Sequence, residues 1–178
     1  MAAIATTDLI WRLSGGAGNT SAAASLGGAM STAGGGVITK TETFNSIFDD
    51  ISGAEALAGD TEYRCIYVHN EHASLALTSA KVWISEQTDS ASTIVSICLD
   101  EAGKDGEADT IADESTAPDP APDPTFSTDC VSYATGLALG DLAAGEGFAI
   151  WIKRVVSAEM VATANDHFTL SVQGETEA

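Results

Sequence analysis

Short apolar runs separated by polar turns follow one another from Tyr63 onward. Each run is rich in β-branched or aromatic residues, and their spacing of roughly 8–12 residues is typical of an all-β sandwich or barrel. No segment keeps a sustained helical period, and only one helical turn is predicted, ending at Gly59. The runs expected to form the main strands are Tyr63–Val68, Ala80–Ser85, Thr93–Leu99, Phe148–Val156 and a last strand from His167 to Val172.

Two of these runs carry a tryptophan among β-branched neighbours. We interpret Trp83 and Trp151 as core residues that join two sheets, with a carbohydrate-binding platform as the alternative. In the last run Phe168, Leu170 and Val172 alternate with polar residues, which is typical of an antiparallel sheet with one face in water. The pattern therefore predicts an antiparallel β-sandwich.

The first 36 residues differ from this body in composition. Apart from an apolar patch at Leu9–Leu13, predicted to be a strand or an anchor, they are mainly glycine, alanine, serine and threonine. Such a segment loses much backbone entropy on ordering and has few side chains to compensate. We predict an extended N-terminal arm, residues 1–36, and a β-sandwich domain, residues 37–178. A disordered tail or linker is the alternative.

A polar segment at residues 100–129 interrupts the body. It holds all four prolines, which alternate from Pro118 to Pro124, and alternating proline favours an extended spacer over a paired strand. We predict a long exposed loop, with one short strand near Ala108–Ala112.

The chain is strongly acidic, with 26 acidic and 7 basic residues and a formal net charge of −19. Phosphate binding needs a concentrated cationic face, so this charge argues against nucleic acid or an anionic membrane as a partner. Solubility explains the acidity, and attraction to a cationic partner or to divalent cations is the alternative. The acidic cluster at 100–109 does not match an EF-hand, because Ala102 and Lys104 stand where ligands are expected. We interpret it as a solvated loop.

No constellation of residues indicates catalysis. Cys65, Cys98 and Cys130 are odd in number and widely spaced, which predicts buried free thiols, with a single disulfide as the alternative. The two histidines of the 69–72 loop lack a third fixed metal ligand, and we interpret this loop as a polar hairpin. We predict a protein that is not an enzyme and has no cofactor or bound metal.

Targeting signals are equally sparse. The N-terminus lacks the basic start and long apolar stretch of a signal peptide, and no run has membrane-spanning length. These features predict synthesis in a reducing cytoplasm.

A further signal comes from four stretches of the chain: Leu13–Asn19, Ser25–Ser31, Phe48–Cys65, and the Gly145-Glu146 corner followed by Trp151–Arg154. Together they resemble a group of small virion structural proteins of tailed bacteriophages. The resemblance covers most of the chain and implies an immunoglobulin-like β-sandwich in the virion, with no family active site. The proline-rich loop and the strong acidity are particular to this chain.

We therefore expect a phage virion protein that is made in the host cytoplasm. The expected role is capsid decoration or cement, in which the arm becomes ordered on the shell of the major capsid protein and strands add across subunits. A homo-oligomer is expected, with a trimer on a capsid axis as its predicted form. The arm residues predicted to contact the partner are Leu9, Trp11, Leu13, Gly15, Gly16, Leu26, Gly27, Gly28 and Met30.

Three alternatives stay open at this point. A tail, connector or baseplate component is the alternative within the virion. A receptor- or carbohydrate-binding β module and a metal-dependent hydrolase are alternatives of other classes.

Overall fold

A computed structural model describes residues 3–39, 45–119 and 125–176, and this part of the chain consists mainly of antiparallel strands. The strands are β1 (Leu9–Leu13), β2 (Gly27–Gly28), β3 (Val37–Ile38), β4 (Asp60–Asn70), β5 (Leu77–Glu86), β6 (Thr93–Lys104), β7 (Ala108–Thr110), β8 (Leu137–Leu142), β9 (Gly147–Val156) and β10 (Thr169–Thr176). A helix, α1 (Gly53–Ala58), precedes β4, and two short 3-10 helices lie at Ala22–Ala24 and Gly34–Gly36.

Two antiparallel sheets face each other. The larger has the strand order β3-β1-β4-β9-β6 and the smaller has the order β10-β5-β8. Side chains from both sheets form one apolar cluster, whose fully buried members include Ile66, Val82, Ile97, Leu142 and Ile150. This arrangement confirms the predicted all-β, antiparallel architecture.

The glycine-rich segment of the chain covers the outer face of the larger sheet. β2 pairs with β7, and Leu26, Met30 and Ile111 from this layer pack on a second cluster that contains Tyr67 and Trp151. Strands with both faces covered read as nearly continuous apolar runs. The nearly continuous burial along β4 and β9 follows from this second cover.

The extended arm predicted for residues 1–36 is not what the structure shows. β1 lies between β3 and β4 in the larger sheet and pairs with residues 66–70. Leu9 and Trp11 are buried members of the core cluster. Strands on both sides of residue 36 thus belong to one sheet, and deleting residues 1–36 would remove part of its core instead of releasing an arm.

Backbone hydrogen bonds and close packing replace the missing side chains in this segment. The amide of Gly16 donates to Ala29 O at 2.8 Å, and the amide of Cys65 on β4 donates to Ser25 O at 2.8 Å. The Tyr67 hydroxyl donates to Gly28 O at 2.8 Å. Small residues allow these close approaches, so the composition that predicted an arm instead permits a thin covering layer.

Two glycines of this layer provide a direct test of its packing. Gly27 and Gly16 have nearly equal φ angles of +93° and +96°, but a Cβ at Gly27 would lie 1.6 Å from Asp109 O, whereas one at Gly16 would meet nothing within 4 Å. We expect Gly16→Ala to lower the free energy of unfolding by about 1–2 kcal/mol through backbone strain. Gly27→Ala should cost about 2 kcal/mol more because of the clash. Urea denaturation measures both, and equal costs would contradict the packed layer.

The local predictions around α1 and the polar loop have mixed outcomes. The helical turn is confirmed, and a capping box fixes its start: Ser52 Oγ accepts the amide of Glu55, and Glu55 Oε2 accepts the amide of Ser52. β7 confirms the strand predicted near residues 108–112. The loop boundary at residue 100 is wrong, because β6 continues to Lys104. The prolines at 120, 122 and 124 lie outside the described residues.

Candidate functional site

The residues predicted to contact a partner do not form one exposed surface. Buried among them are Leu9, Trp11, Leu13, Gly27 and Gly28. Half-buried are Gly16, Leu26 and Met30, while Gly15 is exposed. Most of these residues pack inside the chain, so a partner could reach them only by opening the fold.

The candidate metal ligands of the 69–72 loop, which connects the two sheets, already have hydrogen-bond or ion-pair partners within the protein. His69 Nε2 lies 2.9 Å from Gly145 O, and His72 Nδ1 accepts two backbone amides at 3.1 and 3.0 Å. Glu71 forms an ion pair with Arg12, and the hydrogen bond from Arg12 lowers the pKa of this carboxyl. The loop therefore has a structural role, but its interpretation as a hairpin is wrong, because β4 and β5 belong to different sheets and do not pair with each other.

The acidic cluster at 100–109 is likewise engaged in local structure. Asp100 Oδ2 accepts the indole N–H of Trp151 at 2.8 Å, and Asp105 Oδ1 accepts the amide of Gly147 at 2.8 Å. No three His, Cys, Asp or Glu side chains come together as a possible metal site anywhere in the described residues. The three cysteines are free and buried, and burial raises the pKa of Cys98 to about 12.

A groove with a volume of about 1110 Å³ opens along one side of the sandwich. Its lining includes the start of β10, at the edge of the smaller sheet, and Ile38 of β3, at the edge of the larger sheet. Residues 45–51 also line the groove, and the buried side chains of Trp11, Ile66 and Val95 line it from the core. Large apolar clefts of this kind are the usual place for a ligand.

A buried ion pair lies at this groove. Arg154 Nε donates to Glu62 Oε2 at 2.6 Å, and its Nη1 donates to Asp49 O at 2.8 Å. The guanidinium also lies 4.7 Å from the centre of the Phe48 ring. Burial raises the pKa of Glu62, and attraction from Arg154 opposes part of this rise. The arginine charge is thus compensated within the protein.

The rim of the groove is acidic. Asp49 and Asp50 are exposed, and Asp166 also lines the groove. His167 lines it too, and a hydrogen bond to the carbonyl of Asn165 and nearby acidic groups raise the pKa of this histidine. Arg154 pairs with Glu62 and lies 3.7 Å from Asp49 Oδ1, so its charge does not offset Asp50 and Asp166, and the lining stays negative.

One buried polar atom at the groove lacks a partner. Thr93 is 2% exposed and lines the groove, yet its hydroxyl has no hydrogen-bond partner in the described part of the structure. Buried polar groups are nearly always satisfied, so an unsatisfied one calls for a specific explanation. A ligand in the groove would supply the missing acceptor or donor.

The two long edge strands differ in how their outer edges are protected. On β6, the Gln87 side chain bonds both the amide and the carbonyl of Val95, at 2.9 and 2.8 Å, and Ser127 bridges to Ile97. β10 pairs with β5 on one side only and with no strand of the described residues on the other. An open edge presents unpaired backbone groups that can template another strand.

Comparisons with protein-family models, with characterised proteins and with solved structures found no significant match to this chain. No helix within the described ranges is long and apolar enough to cross a membrane. The class that the fold defines is therefore an antiparallel all-β protein with a groove at an open sheet edge.

Proposed function

We propose that this protein is a non-enzymatic structural component of a phage virion and that it decorates the outer surface of the capsid. The proposal rests on the resemblance to small virion proteins and on the antiparallel sandwich, for which we propose the immunoglobulin-like form. The observation that carries it is the edge of β10 beside the groove, which no strand of residues 3–39, 45–119 or 125–176 covers, in contrast to the capped edge of β6. An edge left open next to an apolar groove suits assembly with another chain.

The structure changes the mechanism by which attachment would occur. Residues 9–38 are part of the sheet and its cover, so attachment through an ordering arm has lost its basis. We propose instead that the β10 edge and the groove engage the major capsid protein, while the symmetric trimer remains our proposal for the oligomer. The acidic surface of each copy makes trimer formation dependent on salt.

The carbohydrate-binding alternative finds less support in the aromatic side chains. Sugar platforms need flat exposed rings, but Trp151 is 0% exposed. Trp83 packs edge-on against Tyr133, whose hydroxyl donates to Ser79 O at 3.0 Å. Trp151 lies in the cluster under the glycine-rich layer, so the interpretation that it joins the two sheets is wrong, and Trp83 is only half-buried.

Quantitative mass spectrometry of purified particles tests the proposed function. We expect on the order of hundreds of copies per particle, because decoration follows the symmetry of the shell. Antibody labelling viewed by electron microscopy should mark the capsid surface. A few copies confined to the tail would instead support a tail or baseplate component, and absence from the particle would contradict a virion role altogether.

A further inference from the structure

We infer that the groove between β3 and β10 binds an extended, basic segment of another polypeptide, which adds as a strand to the open edge of β10. This inference deepens the proposed function by stating the chemistry of the partner. It rests on that function only for the identity of the donor protein, since the binding itself belongs to the groove.

The position of the groove favours a strand over a compact ligand. Its lining includes Thr169 and Leu170 at the start of β10 and Ile38 on β3, and both of these strands are edge strands of their sheets. A strand laid between them could pair its backbone with β10 along one side. Strand addition supplies hydrogen bonds that do not depend on the sequence of the guest.

The apolar lining sets the pattern of the guest side chains. Ile38, Ile47, Phe168 and Leu170 line the groove and are only partly buried against the core. Alternate side chains of a strand point to one face, so a guest with apolar residues at every second position could cover them. A backbone or side-chain group of the guest could also satisfy the Thr93 hydroxyl.

The charge of the groove lining determines which side chains the guest should carry at its outward-facing positions. Asp49, Asp50 and Asp166 line the groove together with Arg154 and His167, and because Arg154 pairs with Glu62 and lies 3.7 Å from Asp49 Oδ1, the lining keeps an excess of negative charge. Lysine or arginine at the outward positions of the guest would therefore complement the rim. A second copy of this chain fits poorly as the guest, because both copies carry a net charge of −19.

Fluorescence anisotropy with the full-length protein and labelled nine-residue peptides tests this inference. The probe alternates valine with lysine, one comparator alternates valine with glutamate, and another alternates serine with lysine. We expect the valine–lysine peptide to bind at least tenfold more tightly than either comparator. Equal binding of the serine–lysine peptide would mean that charge alone is responsible, and lack of binding by the valine–lysine peptide would overturn the inference.

A matched pair of variants locates the binding site. Ala162 is exposed and lines the groove, whereas Ala164 is exposed nearby and does not line it. Ala162→Trp should weaken binding of the valine–lysine peptide at least tenfold by filling the groove, and Ala164→Trp should leave it unchanged. Equal effects of the two variants would contradict binding in the groove.

Hydrogen exchange and a charge pair complete the test. Bound peptide should slow amide exchange in residues 169–176, and unchanged exchange there would contradict strand addition. Asp49→Asn with Asp50→Asn should weaken binding several-fold at low salt, while the exposed pair Asp109→Asn with Asp119→Asn should not. If peptides bind but the protein is absent from particles, the proposed function fails while the groove assignment stands.

Discussion

Replacing Trp151 with alanine is expected to lower the free energy of unfolding by about 4 kcal/mol or more. Removing a fully buried tryptophan costs about 3–5 kcal/mol in lost packing. The substitution also leaves the Asp100 carboxylate without the indole N–H that lies 2.8 Å from Oδ2, which adds about 1–3 kcal/mol. Chemical denaturation followed by circular dichroism measures the loss.

The chain contains a matched control for this substitution. Trp83 also lies mid-strand but is only half-buried, on β5 of the smaller sheet. Trp83→Ala should cost about 1–2 kcal/mol, because less apolar surface leaves its buried environment. A cost for Trp151→Ala no larger than that for Trp83→Ala would contradict the packed second face of the larger sheet. If Trp151→Ala does not fold, Trp151→Phe can replace it, and this variant should still be less stable than Trp83→Ala.

Arg154→Met is expected to lower the free energy of unfolding by about 3–5 kcal/mol near neutral pH. Glu62 is 2% exposed, and without Arg154 its carboxylate would stay buried with only Arg64 nearby, at 4.0 Å. Arg64 is itself paired with Glu114, so its compensation of Glu62 is partial. The double variant Glu62→Gln with Arg154→Met should regain much of the loss, because no buried charge remains unpaired. Urea denaturation of the three proteins measures this.

The cost of removing Arg154 should depend on pH. Burial raises the pKa of Glu62 above its ordinary value of 4.5, so the folded protein binds a proton at pH values where the unfolded chain has lost it. The contribution of Glu62 is therefore most favourable at low pH and declines as the pH rises through the folded pKa. Removing Arg154 raises this pKa further, so the variant should approach the wild type in stability as the pH falls from neutral towards the ordinary Glu pKa of 4.5. A difference that stays constant over this range would contradict Glu62 as the source.

The sequence predicted the positions of the strands better than it predicted which segments of the chain pack against one another. The apolar runs at 63–68, 93–99 and 148–156 coincide with β4, β6 and β9, because strand formation follows local patterns of residue type. The prediction that residues 9–36 form an extended arm was wrong. Composition shows that this segment has few large side chains, but it does not show that other parts of the chain provide a surface on which the segment packs. Tyr67 illustrates this, since its hydroxyl bonds to Gly28 from 39 residues away.

A usable signal for the second cover was present in the sequence. β4 and β9 have apolar residues at consecutive positions, so both of their faces need burial, while a single opposing sheet covers one. The groove, in contrast, depends on register. Glu62 lies opposite Arg154 because β4 and β9 pair antiparallel, and nothing in either run fixes this alignment. The adjacent carboxylates of residues 49 and 50 are visible in the sequence, but only the fold shows that they line the groove.

The Tyr67 hydroxyl joins three parts of the chain, since it also lies 3.1 Å from Gly106 O and accepts the amide of Ala108 at 3.0 Å. During synthesis the glycine-rich stretch leaves the ribosome first, yet its docking site is complete only after the segments around Gly106 and β9 have been made. Such long-range pairing slows folding and prolongs the exposure of unprotected chain. The glycine-rich stretch can therefore dock only after the later half of the chain has been synthesised. Truncated translation products, which lack that half, should be targets for chaperones and proteases.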